Sequence, residues 1–276
     1  MIVDALLLPA LSSISTRDEM LPLAEQLQDR LRFIVPDWPG FGARPRGAEP
    51  VSPTALRAFL DDKLRALTPG SIGIAAGHAA TYLAEAARRH PGRLARLILI
   101  APTWRGPFPT MTRGQRPWLC SAIRAAMEAP VLGQALYRLN LSDPVIGRML
   151  RAHVYADLAN VTPALLAAKR VVAHQPRARF VTAAFVSGGL DPVASRDAFL
   201  ALFTAGLPPT LLLRPVHAPA KSGAEMDALA TLTGITVMRI PGALAAHEEH
   251  PAETAAAIRD YLSKADQVPQ NVESTS

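Results

Sequence analysis

A single cysteine, Cys120, occurs in the 276 residues. A lone thiol excludes an intramolecular disulfide framework and a thiolate zinc site, and it fits a reducing compartment. Aromatic residues make up only 5% of the chain, and no basic block is interleaved with them, so a nucleic-acid partner is not expected. No apolar run approaches the length of a membrane span. The first one, Ala5 to Leu8, is too short even for the apolar segment of an export signal, and no basic stretch precedes it. His, Glu and Asp never fall in an H-E-x-x-H or similar spacing, so neither a metal nor another cofactor is expected. These absences describe a soluble, cytoplasmic protein with no transmembrane segment. No oligomeric state follows from them.

Charge is present but dispersed. Lys and Arg outnumber Asp and Glu by 29 to 23, with a pI near 10.0. The basic residues are mostly arginines spread along helical patterns, the usual signature of a solvated face, and they suit a membrane surface better than a nucleic acid. With 49% hydrophobic residues, the chain is long enough for a large α/β core carrying an insert.

The chain is organised around residues 71–104. An apolar run, Ile72 to Ala76, meets Gly77, and a helical pattern follows with Tyr82, Leu83, Ala86 and Ala87 on one face. A second apolar run, Leu97 to Pro102, completes a βαβ unit and implies a parallel sheet. Upstream, Ile2 to Leu8 reads as a strand. Thr16 to Leu31 reads as a helix with a capping box from Thr16 and Glu19, and Arg32 to Pro36 as a strand. Ser52-Pro53 opens a helix to about Leu67. From Thr103 the strands stop, and apolar segments divided by Pro and Gly predict helices at Trp118 to Ala129, Val131 to Leu139, Pro144 to Tyr155 and Pro163 to Ala173. Asp191-Pro192 is expected to start another helix, with Asp191 as its N-cap. Strands at Pro209 to Leu213 and Ile235 to Ile240 flank a helix from Ala224 to Leu232, and Glu253 to Leu262 forms the last helix. The expected organisation is a core of residues 1–102 and 186–263, a helical cap of residues 103–185, and a disordered tail from 264 to 276. There is no internal repeat.

Taken together, LLLP near the start, VPDWPGFG after the second strand, GHAAT at the turn, LILIAP, PTLLL and IPGALAAHEEHPAETAAAIRDYL resemble the α/β-hydrolase superfamily, from about Ile2 to Leu262. The resemblance implies a mostly parallel, doubly wound α/β sheet with a helical cap over the site. The chain starts at the strand usually third in the family, so the first hairpin of the sheet is expected to be missing. It further implies a serine nucleophile in G-x-S-x-G, an acid, a histidine base and an oxyanion hole.

Carried over residue by residue, each of these functions meets an unsuitable side chain. The nucleophile position falls on Ala79 within Gly77-His78-Ala79-Ala80-Thr81. The oxyanion loop falls on Pro9-Ala10, and proline has no N–H to donate. The acid's turn falls on Arg214 to Pro219, without a carboxylate, and the base falls on Leu244. The surviving polar residues each have a plain reading beside the chemical one. His78 packs beside the tip, and His247 either acts as a base or opens a helix whose N-terminus its neighbouring glutamates complement. Asp191 supplies an acid or caps a helix, and Asp37 is a turn residue. His217 lies on the rim. Ser12, Ser13 and Ser15 form an ordinary polar loop, while His153, Tyr155 and Lys169 are satisfied or solvated positions in the cap.

The expectation is a non-catalytic relative whose apolar pocket, floored by Pro9, Ala10, Leu11, His78, Ala79, Ala80 and Leu244, binds a small hydrophobic ligand or a protein partner. Two alternatives stand beside it. One is an active, esterase-like hydrolase using a shifted set drawn from His247, His78 and Asp191, for example His247 with Asp191 and a water or Ser12 in place of the usual nucleophile, and the other is a structural scaffold.

Overall fold

The structure, a computed structural model, describes residues 2–44, 46, 50–112, 116–204 and 206–266. Six parallel strands form one sheet: β1 (Val3–Leu8), β2 (Leu31–Ile34), β3 (Ser71–Ala76), β4 (Leu94–Ile100), β5 (Thr210–Pro215) and β6 (Ile235–Ile240), in the spatial order β2-β1-β3-β4-β5-β6. Every residue of β3 is buried, as expected of a central parallel strand covered on both faces. Alternation along the strands supplies two cores. Leu6, Leu8, Ala75, Leu97, Leu99 and Leu212 face one side, while Ala5, Leu7, Ile74, Ile98, Leu211 and Leu213 face the other.

Helices α1 (Leu21–Leu27), α12 (Ala246–Glu249) and α13 (Pro251–Asp266) pack near one another. Helices α2 (Pro53–Ala66) and α3 (Ala79–Arg89) pack together, and α2 starts as its sequence predicts: the Ser52 hydroxyl accepts from the Ala55 N–H and Pro53 fills the first turn. Between β4 and β5 the chain is helical, through α4 (Pro107–Met111), α5 (Pro117–Glu128), α6 (Leu132–Asn140), α7 (Asp143–Met149), α8 (Pro163–Ala173), α9 (Ala178–Val186) and α10 (Arg196–Ala201). Helix α11 (Ala220–Leu229) joins β5 to β6. Tyr137, Ile146, Leu150, Tyr155 and Ala173 of the insert form a further small cluster, which Ile14 and Ala245 of the core join. Helix α9 instead sends Val181, Ala184 and Phe185 into the sheet's core.

Several expected boundaries move. The helix expected over 16–31 is a 3-10 turn, Arg17–Met20, followed by α1, because β2 begins at Leu31. The Thr16 hydroxyl accepts from the Asp18 N–H, but Glu19 does not close a capping box; its carboxylate accepts from the Ala10 N–H. No helix begins at Asp191. Helix α10 starts at Arg196, where the Ser195 hydroxyl accepts from the Ala198 N–H. The Asp191 carboxylate turns inward to the Gly106 N–H at 2.7 Å. The helix after β5 starts four residues earlier than expected, at Ala220. The last helix runs on through Lys264 to Asp266, and residues 267–276 of the expected tail lie outside the described residues.

Candidate functional site

The strand-to-helix turn after β3 sets the site. Ala76 ends the strand, Gly77 follows with φ +54°, His78 is right-handed at φ −66°, and Ala79 opens α3. The left-handed tip is therefore Gly77, two residues before the position that the sequence pattern assigns to it. The turn is pinned on both sides: the Gly77 N–H donates to the Ile100 carbonyl at 2.9 Å, and the Gly77 carbonyl accepts from the Thr103 N–H at 3.1 Å. A Cβ at Gly77 would meet the Ala10 Cβ at 3.3 Å. The tip and the loop after β1 thus touch. Ala79, Ala80 and Thr81 are fully buried helix residues, and the Thr81 hydroxyl donates to the Thr103 carbonyl at 2.8 Å.

His78 lies beneath the insert. Its ring meets Phe185 edge-on at 5.6 Å, and its Nε2 lies 3.4 Å from Asp191 Oδ1. Both side chains are 2% exposed. Asp191 is a buried carboxylate bound to a backbone N–H and facing an imidazole, so it is not the expected helix cap, and it stands beside His78, another of the candidate residues.

A second group of buried polar side chains forms on the far side of the β1 loop. Glu19 Oε1 accepts from the Ala10 N–H at 2.9 Å and lies 3.7 Å from His247 Nε2, while Glu19 Oε2 lies 3.7 Å from Lys169 Nζ. Lys169 also donates to Glu248 Oε2 at 3.1 Å, and the Tyr155 hydroxyl donates to the same oxygen at 2.6 Å. Next along α12, Glu249 accepts from the backbone N–H groups of Ala156 and Asp157 in the insert and of Ala243 in the core. Burial alone would raise the Glu19 pKa, yet the facing His247, the Lys169 charge and the Ala10 N–H together lower it below the ordinary carboxylate range. Burial alone would lower the Lys169 pKa, and the two glutamates outweigh that and raise it. Burial, reinforced by Glu248, raises the Tyr155 phenol, so it remains a hydrogen-bond donor. The group is an ionic and hydrogen-bonded junction between insert and core, in which backbone N–H groups and the Tyr155 hydroxyl supplement the one lysine, and it absorbs Tyr155 and Lys169 from the sequence reading. His153 and His217 are exposed. Asp37 accepts from the Ala43 N–H within its own loop, as its turn reading has it, and also from the Arg17 N–H, 20 residues upstream.

The sequence profile of the family described as "Alpha/beta hydrolase family" matches residues 6–257. The chain belongs to the alpha/beta hydrolase family. Solved structures agree on the fold. An esterase from Thermogutta terrifontis is 22% identical over 95% of this chain and 90% of its own, with a TM-score of 0.70. The haloalkane dehalogenase DatA from Agrobacterium tumefaciens C58 is 15% identical over 96% and 90%, with a TM-score of 0.71. The enol-lactonase from Burkholderia xenovorans LB400 is 17% identical over 95% and 92%, with a TM-score of 0.67. Among curated proteins, none matches the sequence significantly.

In an alpha/beta hydrolase the nucleophile stands at the strained tip between strand and helix. That tip is Gly77 here, so Ala79 is not the position to compare. Ala79 takes the place of a small residue two after the tip. The family's oxyanion donors are the N–H after the nucleophile and an N–H from the loop that here follows β1. On that loop the Ala10 N–H already has the Glu19 carboxylate as its acceptor. Leu244, where the sequence resemblance puts the base, lies half-buried between β6 and α12. Near the end of β5, Arg214 pairs with Asp227 of α11 through two hydrogen bonds, at 2.5 and 2.9 Å. Of the pocket residues named from sequence, Leu11, His78, Ala79 and Ala80 are almost without accessible surface, Pro9 is buried, and Ala10 and Leu244 keep part of theirs. Among the described residues, no group of three or more His, Cys, Asp or Glu is placed to hold a metal, and no helix is long and apolar enough to cross a membrane.

Proposed function

We propose that this alpha/beta hydrolase fold is non-hydrolytic, and that its helical cap closes over an apolar site that takes a small hydrophobic molecule. The observation that carries this reading is the tip of the elbow: Gly77 has no side chain, and the neighbouring Ala10 N–H is committed to Glu19. Removing a nucleophile and a base together leaves only residual catalysis, about 10³ to 10⁴ over water, and that remainder depends on oxyanion contacts and binding. Here one of the oxyanion contacts is itself occupied. Ala10 and Leu244 are the floor residues with remaining surface, and Val181, Ala184 and Phe185 of α9 share the apolar cluster that holds Leu11 and Ala79.

The test combines turnover and binding. Short p-nitrophenyl esters are expected to hydrolyse no faster with the protein, or with its Gly77→Ser variant, than in buffer. A fluorescent apolar probe is expected to bind the natural chain and to be lost from Leu244→Glu. Ester turnover by Gly77→Ser overturns the first half, and absence of probe binding overturns the second. Capture of a protein partner in place of the probe would turn the same surface into a docking site.

A second reading rests on His247. Neither of its ring nitrogens has a hydrogen-bond partner among the described residues, and Glu19 lies beside it. A histidine–carboxylate pair of this kind suits general-base activation of water. Ester turnover by the natural chain, abolished in His247→Ala, would establish it.

A further inference from the structure

The charge of the chain is not evenly divided. Residues 103–185 contain 11 Lys and Arg against 3 Asp and Glu, a net +8, whereas the remaining residues contain 18 against 20, a net −2. The whole excess of positive charge therefore lies in the insert.

The same segment shows its apolar side chains to solvent. Helices α5 and α6 pack against each other as a hairpin. The outward positions of α5 are Trp118, Ser121, Ala122 and Ala125, and those of α6 and its N-cap are Val131, Leu132, Ala135, Arg138 and Leu139. The three- and four-residue spacing makes each set one helix face. Trp118 is 72% exposed and Val131 84% exposed. Arginines border this face. Arg179 donates to the carbonyls of Ala129 and Pro130 at the turn between the two helices, beside Val131. Behind α6 lies a cleft of about 310 Å³ whose lining includes Arg138, His174, Arg177 and Arg179 and no acidic residue. A broader cleft of about 660 Å³ shares Arg138 and His174 with it.

An outward apolar face containing tryptophan and bordered by arginines has the composition of a surface that lies in a bilayer interface. The arginines beside it and the insert's excess of positive charge favour anionic headgroups, and the acid-free cleft gives one phosphate-bearing headgroup a place between guanidinium groups. An acidic protein surface would satisfy the arginines and leave Trp118, Val131 and Leu132 in water. We propose that the α5–α6 face of the insert docks on anionic lipid bilayers, with Trp118, Val131, Leu132 and Leu139 entering the interface and Arg138 and Arg179 meeting the headgroups. This goes beyond the ligand reading: the docking face is the outer side of the insert, while the proposed ligand site is beneath it.

Tryptophan emission reads the event directly, because Trp38 and Trp104 are 1% and 3% exposed and only Trp118 meets solvent. Vesicles of phosphatidylcholine with phosphatidylserine are expected to co-sediment the full chain and to shift its emission to the blue, an effect absent from Trp118→Ala. Phosphatidylcholine alone, inorganic phosphate and polyglutamate are expected to produce no shift. Leu132→Ser/Leu139→Ser and Arg138→Glu, all at exposed positions, are each expected to lower partitioning by about tenfold, and salt well above 0.1 M to weaken it further. The proposal is overturned if anionic vesicles bind no better than neutral ones, or if the variants partition as the natural chain does. It is also overturned if polyglutamate shifts Trp118 equally, or if the chain self-associates in solution with Trp118 buried. Each readout is independent of ester turnover and of probe binding under the insert.

Discussion

The insert is fastened to the core on two sides by opposite chemistries. At α9, Val181, Ala184 and Phe185 join a dry cluster with Leu11, Trp38 and Ala79. At α8 and the segment before it, Lys169, Tyr155 and the N–H groups of Ala156 and Asp157 meet Glu19, Glu248 and Glu249. The apolar side gains by removing surface from water and has no directional requirement. The ionic side holds one arrangement of donors and acceptors, and losing one member leaves another charge buried. One contact therefore contributes adhesion and the other contributes register.

The largest expected effect comes from breaking the ionic side at one point. Lys169→Met leaves Glu19 and Glu248 without their cation, and a loss of about 3–5 kcal/mol in urea unfolding is expected. Acid should act on the same side. The Glu19 pKa is lower in the folded chain than its ordinary value near 4.5, so its contribution is complete above that value and disappears as pH falls through the lowered one. Lys169 has its pKa raised, so its contribution persists to the alkaline end. The difference in stability between the natural chain and Lys169→Met should accordingly shrink below about pH 4.5 and stay level through neutrality. A difference independent of acid would mean that Glu19 titrates alike in both states.

The next effect is on the apolar side. Phe185→Ala is expected to cost about 3 kcal/mol, with no dependence on pH or salt, in the same unfolding measurement. Combined with Lys169→Met, it should be additive to within about 0.5 kcal/mol if the two fastenings are independent. A coupling well above that would show the insert unfastening as one body. The smallest effect is Tyr155→Phe, expected to cost about 1.5 kcal/mol, because Lys169 still satisfies Glu248. A loss as large as that of Lys169→Met would instead make the phenol the main support of that carboxylate.

These two sides also mark what the sequence discloses. The strand Ile235–Ile240 and the helix Pro163–Ala173 have their boundaries legible to the residue, because Gly234 and Pro241 bound one and Thr162-Pro163 opens the other. The apolar fastening has a signal of the same class, the spacing of Val181, Ala184 and Phe185, although no helix over Ala178–Val186 is among those expected from the sequence. The ionic fastening has none. Thr16 and Glu19 have the spacing of a capping box, and Asp191-Pro192 has the form of a helix start, yet each carboxylate is bound by a backbone N–H from elsewhere, Ala10 in one case and Gly106, 85 residues away, in the other. A local pattern contains no information about such partners. The elbow failed differently. GHAAT invites alignment from its glycine, whereas the backbone uses that glycine as the tip. The physical signal was present in Ala75-Ala76-Gly77-His78-Ala79, where glycine alone accepts a left-handed conformation without cost.

Gly77 also sets what a side chain at the elbow would cost the backbone. A serine at φ +54° would hold backbone strain of about 1–2 kcal/mol, which an enzyme recovers as catalysis. On the non-hydrolytic reading proposed above, glycine carries none of that strain, and a return to serine at this one position would lower stability before any partner could use the hydroxyl.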